Sequence, residues 1–279
     1  MASRRPWGED VRLDAVNAIF AAWLMMIATV SHAEISAMTS TVLELRQYKI
    51  FAGKRDRMID VFDGKLIEGQ EQLGMRLLGQ FRDLDDLNRF TWMREFQDMS
   101  MRERALTDFY TGPVWKAHRG EANPLLEDND NVLLLRPAAE GLALKVPPVS
   151  ERAQVDAKPA SAGGLMVVTI YYLWKDPAEG FTQFFTTKLA PELNAAGLPV
   201  LGGYVTETTP NNFPKLPVRQ HEKVFVWFTR AADEAAYDQQ RAKLETRLGS
   251  SPVGHQLRDY QERAAQVLRL APTTRSLLR

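Results

Sequence analysis

An internal repeat is the feature of this sequence that most restricts its fold. The segment KLIEGQEQLGMRLLGQF, which begins at Lys65, aligns with KLAPELNAAGLPVLGGY, which begins at Lys188, at an offset of 123 residues. FTW at Phe90 aligns with FVW at Phe225 at an offset of 135 residues. Because the order and spacing of the matches persist while identity is low, we predict two copies of one structural unit.

The offset increases because the second copy contains an insertion. The extra residues lie within TETTPNNFPKLPVRQHEK, residues 206–223, which contains three prolines and two adjacent asparagines. Proline and asparagine interrupt helices and strands, so this segment is predicted to be a loop.

Each copy, residues 42–137 and 165–272, has the same predicted order of elements. The first strand, VLELRQYKI or LMVVTIYYLW, is rich in β-branched and aromatic residues. An amphipathic helix follows and ends near Gly74 or Gly197, as helices often end at glycine. Two strands, a second helix and a last strand complete the copy. The order βαββαβ predicts a ferredoxin-like unit.

These patterns predict an α+β fold of two tandem ferredoxin-like units. Each unit has helices on one face of an antiparallel sheet, and the other face must be covered. Two copies in one chain satisfy this requirement if their sheets cover each other. We therefore predict a dimeric α/β-barrel-type arrangement, an intramolecular pseudo-dimer, from which a homodimer is also possible through a strand edge or a helix face.

The N-terminal segment has an apolar stretch, AIFAAWLMMIATV, which is too short to span a bilayer comfortably. Three interpretations stay open: translation starts at Met38, a signal is cleaved after SHA at residues 31–33, or the segment forms an ordered helix. We predict a cytoplasmic protein, or a periplasmic or exported one if residues 1–33 are a cleaved signal peptide. The predicted division of the chain is an extension at 1–37, a first unit at 38–139, a linker at 140–163, a second unit at 164–273 and a tail at 274–279.

Charge and composition exclude several classes of function. Lysine and arginine together number 35, as do aspartate and glutamate, so there is no overall basic field to attract nucleic acid. The absence of cysteine excludes thiolate nucleophiles and zinc–thiolate sites, and four histidines are few for a histidine-rich metal centre. We predict no metal site and no nucleic-acid partner.

Four segments of the first copy together resemble the NIPSNAP family. They are LELRQY, LGMRLLGQFRDLDDLNRFTWMREF, FYTGPVWKAHR and DNDNVLLLRP, and they cover about a third of the chain. The second copy resembles a diverged unit of the same type, in which GPVWKAH is replaced by SPVGHQL. The resemblance implies a dimeric α/β-barrel of ferredoxin-like units. Proteins related by fold include haem-degrading and cofactor-free monooxygenases and simple ligand binders, so fold alone does not select a function.

Polar side chains on the first strand are the first candidates for a site. Glu44, Arg46 and Tyr48 are spaced by two residues, so they share one face of the strand. In the functional interpretation they line a cavity, either between two sheets or between sheet and helix, and bind a ligand. In the structural interpretation they form a solvent face or a buried ion pair.

The segment FTWMREF places Phe90, Trp92, Arg94 and Phe96 on one strand face. A guanidinium among rings can bind a carboxylate or stack on an aromatic ligand. The alternative, which we favour for the rings, is a core stripe, because the second copy repeats the rings without the arginine. In the functional interpretation, Trp92 and Arg94 are candidate ligand-binding residues.

An acidic segment follows the second strand of the first copy. QFRDLDD supplies Arg82, Asp83, Asp85 and Asp86, and three carboxylates can bind a divalent cation. Aspartate is also common in turns, because its side chain accepts hydrogen bonds from nearby backbone amides. We favour the turn.

The segment FYTGPVWKAHRGEAN, residues 109–123, supplies the remaining candidates. Tyr110 and Trp115 are predicted ligand-binding rings, and His118 is the candidate catalytic residue, as a general base or a haem ligand. The structural alternative places Trp115 as an apolar plug below the end of a helix, with His118 interacting with the helix dipole.

Two functions are compatible with these residues. The first is binding of a small aromatic or carboxylate-bearing molecule in the cavity of an α/β-barrel, without a cofactor. The second is a cofactor-free or haem-linked oxidoreductase that uses the cavity of the first unit. No Ser-His-Asp order, phosphate-binding glycine-rich loop or dinucleotide fingerprint is present in the sequence.

Overall fold

The computed structural model describes residues 41–157 and 164–279, which contain one closed antiparallel barrel with helices packed on its outer side. This confirms the predicted α+β class and the antiparallel barrel-like sheet. The predicted start site or signal in residues 1–37 lies outside the described residues, as does the end of the predicted linker.

The six predicted elements occur in the predicted order in each half of the chain, with α3 and β4 added in the first half and α6 in the second. The strands are β1 Val42–Ile50, β2 Arg76–Asp83, β3 Arg89–Phe96, β4 Leu126–Asp128, β5 Val132–Pro137, β6 Leu165–Tyr172, β7 Gly202–Thr206, β8 Val224–Ala231 and β9 Gln266–Pro272. The helices are α1, which comprises Arg55–Val61, Phe62–Leu66 and Ile67–Glu71, α2 Met99–Thr111, α3 Pro113–Ala122, α4, which comprises Phe181–Phe184, Phe185–Leu189 and Ala190–Ala196, α5 Glu234–Leu248 and α6 Pro252–Tyr260.

Antiparallel pairing closes the sheet. The strands follow the order β3-β2-β9-β6-β8-β7-β5-β1, and β1 pairs with β3 to complete the ring, while the short β4 adds to the edge of β1. The two halves of the chain meet at β2–β9 and at β5–β7. Closure leaves few unpaired strand edges, which limits edge-to-edge association.

The barrel interior is filled by apolar side chains. One buried cluster takes residues from all eight strands of the ring, including Leu45, Met93, Val168, Phe228 and Leu270. A second cluster joins the outer face of the first-half strands to α1, α2 and α3, and a third does the same for the second half. The interior is therefore packed core, and it holds no site that matches the predicted residues.

Each half contains a helix that the sequence analysis did not predict: α3 begins at Pro113 and α6 begins at Pro252. Asp98 caps α2 by accepting a hydrogen bond from the Met101 amide, and α2 ends at Thr111. Pro113 then occupies the first turn of α3, where its missing N–H costs nothing. Pro252 begins α6 in the same way. The Gly-Pro pair that marks the end of one helix also starts the next.

Helices α1 and α4 each contain a π-helical turn, and the two turns lie at equivalent positions in the repeat. The turns are Phe62–Leu66 in α1 and Phe185–Leu189 in α4, separated by the offset of 123 residues that the sequence repeat shows. Such turns are rare and occur often near functional sites. Among the helices of residues 41–157 and 164–279, none is long and apolar enough to cross a membrane.

Candidate ligand-binding site

Strand pairing brings the predicted polar residues of β1 and β3 together. Glu44 pairs with Arg94 and Arg46 pairs with Trp92 across the two strands. Their side chains lie on the outer face of the barrel, because Leu43 and Leu45 occupy the interior. Of the two positions predicted for a cavity, between two sheets or between sheet and helix, the outward direction of these side chains agrees with the second.

Glu44 is the centre of a buried charge cluster, here called the guanidinium cluster: Glu44, Arg46, Arg94 and Arg102. Glu44 Oε2 accepts hydrogen bonds from Arg46 Nη1 and Arg94 Nε, each at 2.8 Å. Its other oxygen, Oε1, accepts one from Arg102 Nε at 2.8 Å. All four side chains are fully buried. These contacts tie β1, β3 and α2 together beneath the helices.

The guanidinium cluster is electrically unbalanced. Three guanidinium groups face one carboxylate, and Glu44 is the only carboxylate that the described part of the chain places in ion-pair contact with them. Burial alone raises the pKa of Glu44, but Arg94, Arg46 and Arg102 together hold it well below its ordinary value. An excess of two positive charges is therefore buried.

Two neutral side chains of the first half also contact the guanidinium cluster. Arg46 Nε donates a hydrogen bond to Tyr48 Oη at 2.8 Å, and Arg94 Nη1 donates one to Gln70 Oε1 at 2.8 Å. Burial raises the pKa of Tyr48 to about 12, against the lowering effect of Arg46, so the phenol is neutral at pH 7. Neither side chain offsets the excess charge.

An aromatic cavity of about 80 Å³ lies beside the guanidinium cluster. Tyr48 and Gln70, which hydrogen-bond Arg46 and Arg94, both line it. Most of its other walls are rings and aliphatic side chains: Met58, Phe62, Leu66, Trp92, Phe109, Tyr110, Trp115, Leu126 and Leu216.

The rings of the aromatic cavity are mutually oriented. Tyr48 meets Trp92 edge to face with ring centroids 5.5 Å apart, and Tyr110 meets Trp115 in the same way at 4.9 Å. Arg94 lies over the ring of Trp92, with its Cζ atom 5.1 Å from the ring centroid. Seven predicted site residues, Glu44, Arg46, Tyr48, Trp92, Arg94, Tyr110 and Trp115, thus belong to one contiguous group.

His118 is separate from this group. It lies on α3 with its side chain 28% exposed, and its Nδ1 atom is 3.2 Å from Glu121 Oε1. Glu121 also forms ion pairs with Arg57 and Lys65 on α1. His118 is absent from the walls of the aromatic cavity. A catalytic role for His118 stays a prediction, and the structure supplies no contact with the cavity to support it.

The acidic segment after β2 forms a turn. Asp83 Oδ1 accepts hydrogen bonds from the Asp85 and Asp86 amides, and Asp83 Oδ2 is 3.3 Å from Arg89 Nη1. These are the backbone-directed contacts that favour aspartate in turns. Residues 41–157 and 164–279 contain no group of three or more acidic or histidine side chains arranged to hold a metal ion.

Three contributors to the site were missed by the sequence analysis. Arg102 lies on the buried face of α2 with Leu106 and Phe109, and an arginine on an apolar helix face was the available signal. Gln70 had no such signal. The third contributor is the loop between β7 and β8, residues 207–223, here called the insertion loop, which reaches the first half of the chain and places Leu216 in the cavity wall.

The second half has no equivalent charge cluster. In its strand pairing, Val167 stands opposite Thr229 where Glu44 stands opposite Arg94, and Thr169 stands opposite Trp227 where Arg46 stands opposite Trp92. The buried Tyr237 lies 135 residues after Arg102. The rings are therefore common to both halves, whereas the charges belong to the first.

A larger basin of about 740 Å³ lies at one end of the barrel. It is open to solvent and is lined by Lys145, Arg230 and Arg279 around apolar residues such as Met166 and Leu278. None of the predicted site residues contacts it.

Comparison with known proteins agrees with the family resemblance of the first copy and with the fold. The NIPSNAP family model matches residues 43–139, which confirms the resemblance seen in the sequence. No curated protein matches the chain.

Solved structures resemble the chain over both halves. A protein from Fusobacterium nucleatum, provisionally named a monooxygenase, has 11% identity and a TM-score of 0.55, and the match covers 84% of this chain and 93% of that one. A similarly named protein from Lactobacillus acidophilus has 12% identity and a TM-score of 0.50 over 84% and 94%. At these identities the likeness supports the fold alone.

A NIPSNAP domain protein from Burkholderia xenovorans matches a shorter part of the chain. It has 26% identity and a TM-score of 0.33, and the match covers 36% of this chain and 96% of that one.

Proposed function

We propose that the NIPSNAP domain formed by residues 43–139 binds a small carboxylate-bearing ligand, with an aromatic or apolar body, in its aromatic cavity. The observation that carries the proposal is the excess of two buried positive charges beside that cavity. A carboxylate supplied by the ligand reduces this excess.

The buried arginines carry an energetic cost. An ion removed from water and left without a partner costs several kcal/mol even after relaxation. Among the described residues, Nη2 of Arg46 and Nη2 of Arg94 also have no hydrogen-bond acceptor, although both are buried. Guanidinium N–H groups form their strongest hydrogen bonds with carboxylates. A carboxylate ligand is thus favoured over a neutral one of the same shape.

The walls of the cavity determine the rest of the ligand. Trp92, Tyr110 and Trp115 present ring faces and edges, which favour an aromatic or flat apolar body by stacking and edge contacts. The ligand is therefore expected to have a charged end near the arginines and an apolar end among the rings.

We also propose that the two halves are tandem ferredoxin-like units arranged as the two subunits of a dimeric α/β-barrel would be. The matching strand registers and the two π-helical turns support this arrangement. In this view the second unit serves as scaffold, since it repeats the rings without Arg94 and Arg102.

Tryptophan fluorescence tests the proposed function. Phenylacetate and its neutral isostere phenylacetamide are titrated into the full chain, and into the variants W92F and W227F. Trp227 is the matched control because it occupies the same strand position in the second half, is equally buried and lies outside the cavity. We expect phenylacetate to quench the wild type and W227F equally, and to quench W92F less, since only Trp115 then remains in the cavity wall.

The neutral isostere tests the charge argument. Loss of the carboxylate removes charge-assisted hydrogen bonds, so phenylacetamide should bind at least about tenfold more weakly. Equal binding of the acid and the amide, or loss of the response in W227F alone, would contradict the proposal. So would the absence of binding by any small carboxylate in a panel of aliphatic and aromatic acids.

Haem does not fit the cavity. The walls of the cavity contain no histidine. His118, the predicted axial ligand, is outside its walls. A cofactor-free oxidation remains the second candidate, favoured by the names of two proteins of similar fold. Product formation from a bound carboxylate under oxygen would distinguish it from simple binding.

A further inference from the structure

The aromatic cavity is too small for the ligand class that its walls favour. At about 80 Å³ it has room for a few water molecules, whereas pockets that enclose drug-sized organic ligands are roughly 300 Å³ or larger. An aromatic acid therefore requires one wall to move. Which wall moves matters only if the proposed function holds, and the identity of that wall therefore rests on it.

Most walls of the cavity belong to rigid elements. Tyr48 and Trp92 are on β1 and β3, which pair along eight residue positions within the closed barrel. Phe109 and Trp115 are on α2 and α3, which pack on the barrel through the second apolar cluster. Leu216 is different, because it comes from the insertion loop of the other half of the chain.

The insertion loop is attached to the first half by a small set of contacts. Phe213 stacks on Tyr110 with ring centroids 5.7 Å apart, and Leu216 is buried in the cavity wall. Asn212 Nδ2 also donates a hydrogen bond to the Met99 carbonyl at the start of α2. Residues 207–223 contain no strand or helix, and backbone hydrogen bonds from Glu207 to Leu134 and from Arg219 to Val132 fix the two ends of the loop on β5. The part of the loop between these two anchors is thus the wall that can move with few contacts broken.

The polar contacts of the loop are made to the guanidinium cluster itself. Arg102 Nη1 donates hydrogen bonds to Asn211 Oδ1 at 3.0 Å and to Asn212 Oδ1 at 2.8 Å. Two neutral amide oxygens therefore stand where a carboxylate would be expected beside a buried guanidinium. A carboxylate makes shorter and stronger hydrogen bonds to guanidinium than an amide oxygen does. An acidic ligand can displace them.

We propose that the insertion loop is a gate to the aromatic cavity, and that the ligand's carboxylate opens it by replacing Asn211 and Asn212 on Arg102. Displacing the two asparagines releases the loop from α2. Phe213 then leaves Tyr110 and Leu216 leaves the wall, which joins the cavity to Arg102 and makes room for the body of the ligand. The insertion that distinguishes the second copy thereby serves the site of the first.

Hydrogen–deuterium exchange of the full chain tests the gate directly. With phenylacetate bound, peptides that cover residues 211–216 should exchange faster, because the Leu216 amide loses its bond to the Phe213 carbonyl and the Phe213 amide loses Asn211 Oδ1. Peptides from β1 and β3 should be unchanged or slower. Unchanged or slower exchange in the loop, with phenylacetate bound, overturns the gate.

A double variant provides an independent readout. N211A/N212A removes both acceptors from Arg102, so phenylacetate should bind about tenfold more tightly, since the ligand no longer displaces two hydrogen bonds. K215A is the matched control, because Lys215 is exposed in the same loop. Unchanged affinity in the double variant contradicts the gate.

The outcomes separate the two proposals. Binding of phenylacetate without any change in the loop or in the double variant overturns the gate and leaves the proposed function standing. Binding by the double variant alone supports the gate. The absence of phenylacetate binding to both proteins overturns the proposed function, and the gate with it.

Discussion

Replacing Glu44 with glutamine is the perturbation that most sharply tests the buried cluster. Glu44 accepts hydrogen bonds from three arginines at 2.8 Å each and is fully buried. Glutamine keeps the size of the side chain and one oxygen acceptor but removes the negative charge. Three buried guanidinium groups then have no anion. Breaking a buried ion pair from one side costs about 3–5 kcal/mol of unfolding free energy.

Urea denaturation of the full chain measures this cost, with E127Q as the control. Glu127 on β4 forms an ion pair at 2.7 Å with Lys49, which lies on β1 as Glu44 does. Both side chains of this pair are exposed, so it contributes about 0–1 kcal/mol to the free energy of unfolding. We expect E44Q to lose about 3 kcal/mol or more and E127Q to lose less than about 1 kcal/mol. If the two variants are equally stable, Glu44 does not hold the guanidinium cluster together and the charge argument is wrong.

Three further predictions concern stability and assembly. Burial raises the pKa of Asp63 to about 6, so the folded chain favours the neutral carboxyl. The resulting stabilisation is complete below about pH 4 and is lost as the pH rises through 6. The difference in unfolding free energy between D63N and wild type should therefore grow by about 3 kcal/mol over that range. A Cβ at Gly254 in α6 would lie 1.9 Å from the Leu248 carbonyl oxygen, whereas one at Gly120 in α3 would meet nothing within 4 Å; thermal melts should show G254A destabilised by more than about 1 kcal/mol and G120A unchanged or stabilised by up to about 1 kcal/mol. Residues 38–139 expressed alone expose the inner face of their sheet, so the chain should be found in the insoluble fraction or elute as a homodimer in size-exclusion chromatography. A well-folded monomer would contradict the barrel account.

The repeat made much of the fold predictable. Matches at fixed offsets gave the element order of both halves, and the antiparallel barrel-like sheet follows from the need to cover two sheet faces. The alternation of β1 also predicted that Glu44, Arg46 and Tyr48 share a face, which the pairing with β3 confirms. The period of a strand does not say which layer its polar face meets, so the choice between sheet and helix required the structure.

Helix α3 shows a limit of local signals. Proline just after a helix is typical of a helix end, yet Pro113 is the first residue of a new helix, because proline suits both positions. The place of Trp115 and the separation of His118 from the cavity depend on the direction of that helix. Sequence spacing alone could not give either.

The remaining part of the site depends on contacts between distant residues. Arg102 meets Glu44 across 58 residues and meets Asn212 across 110. The insertion was predicted to be a loop, but nothing in its own composition shows that it packs against the first half of the chain. Such long-range contacts are set by barrel closure through β5–β7 and β2–β9, which brings the two halves together.

A crystal structure of the full chain with phenylacetate tests the central claim most directly. The account predicts a ligand carboxylate within hydrogen-bond distance of Arg102, the ring among Trp92, Tyr110 and Trp115, and Asn211 and Asn212 displaced. Phenylacetate bound in the basin at the end of the barrel, with the aromatic cavity and the insertion loop unchanged, would contradict it.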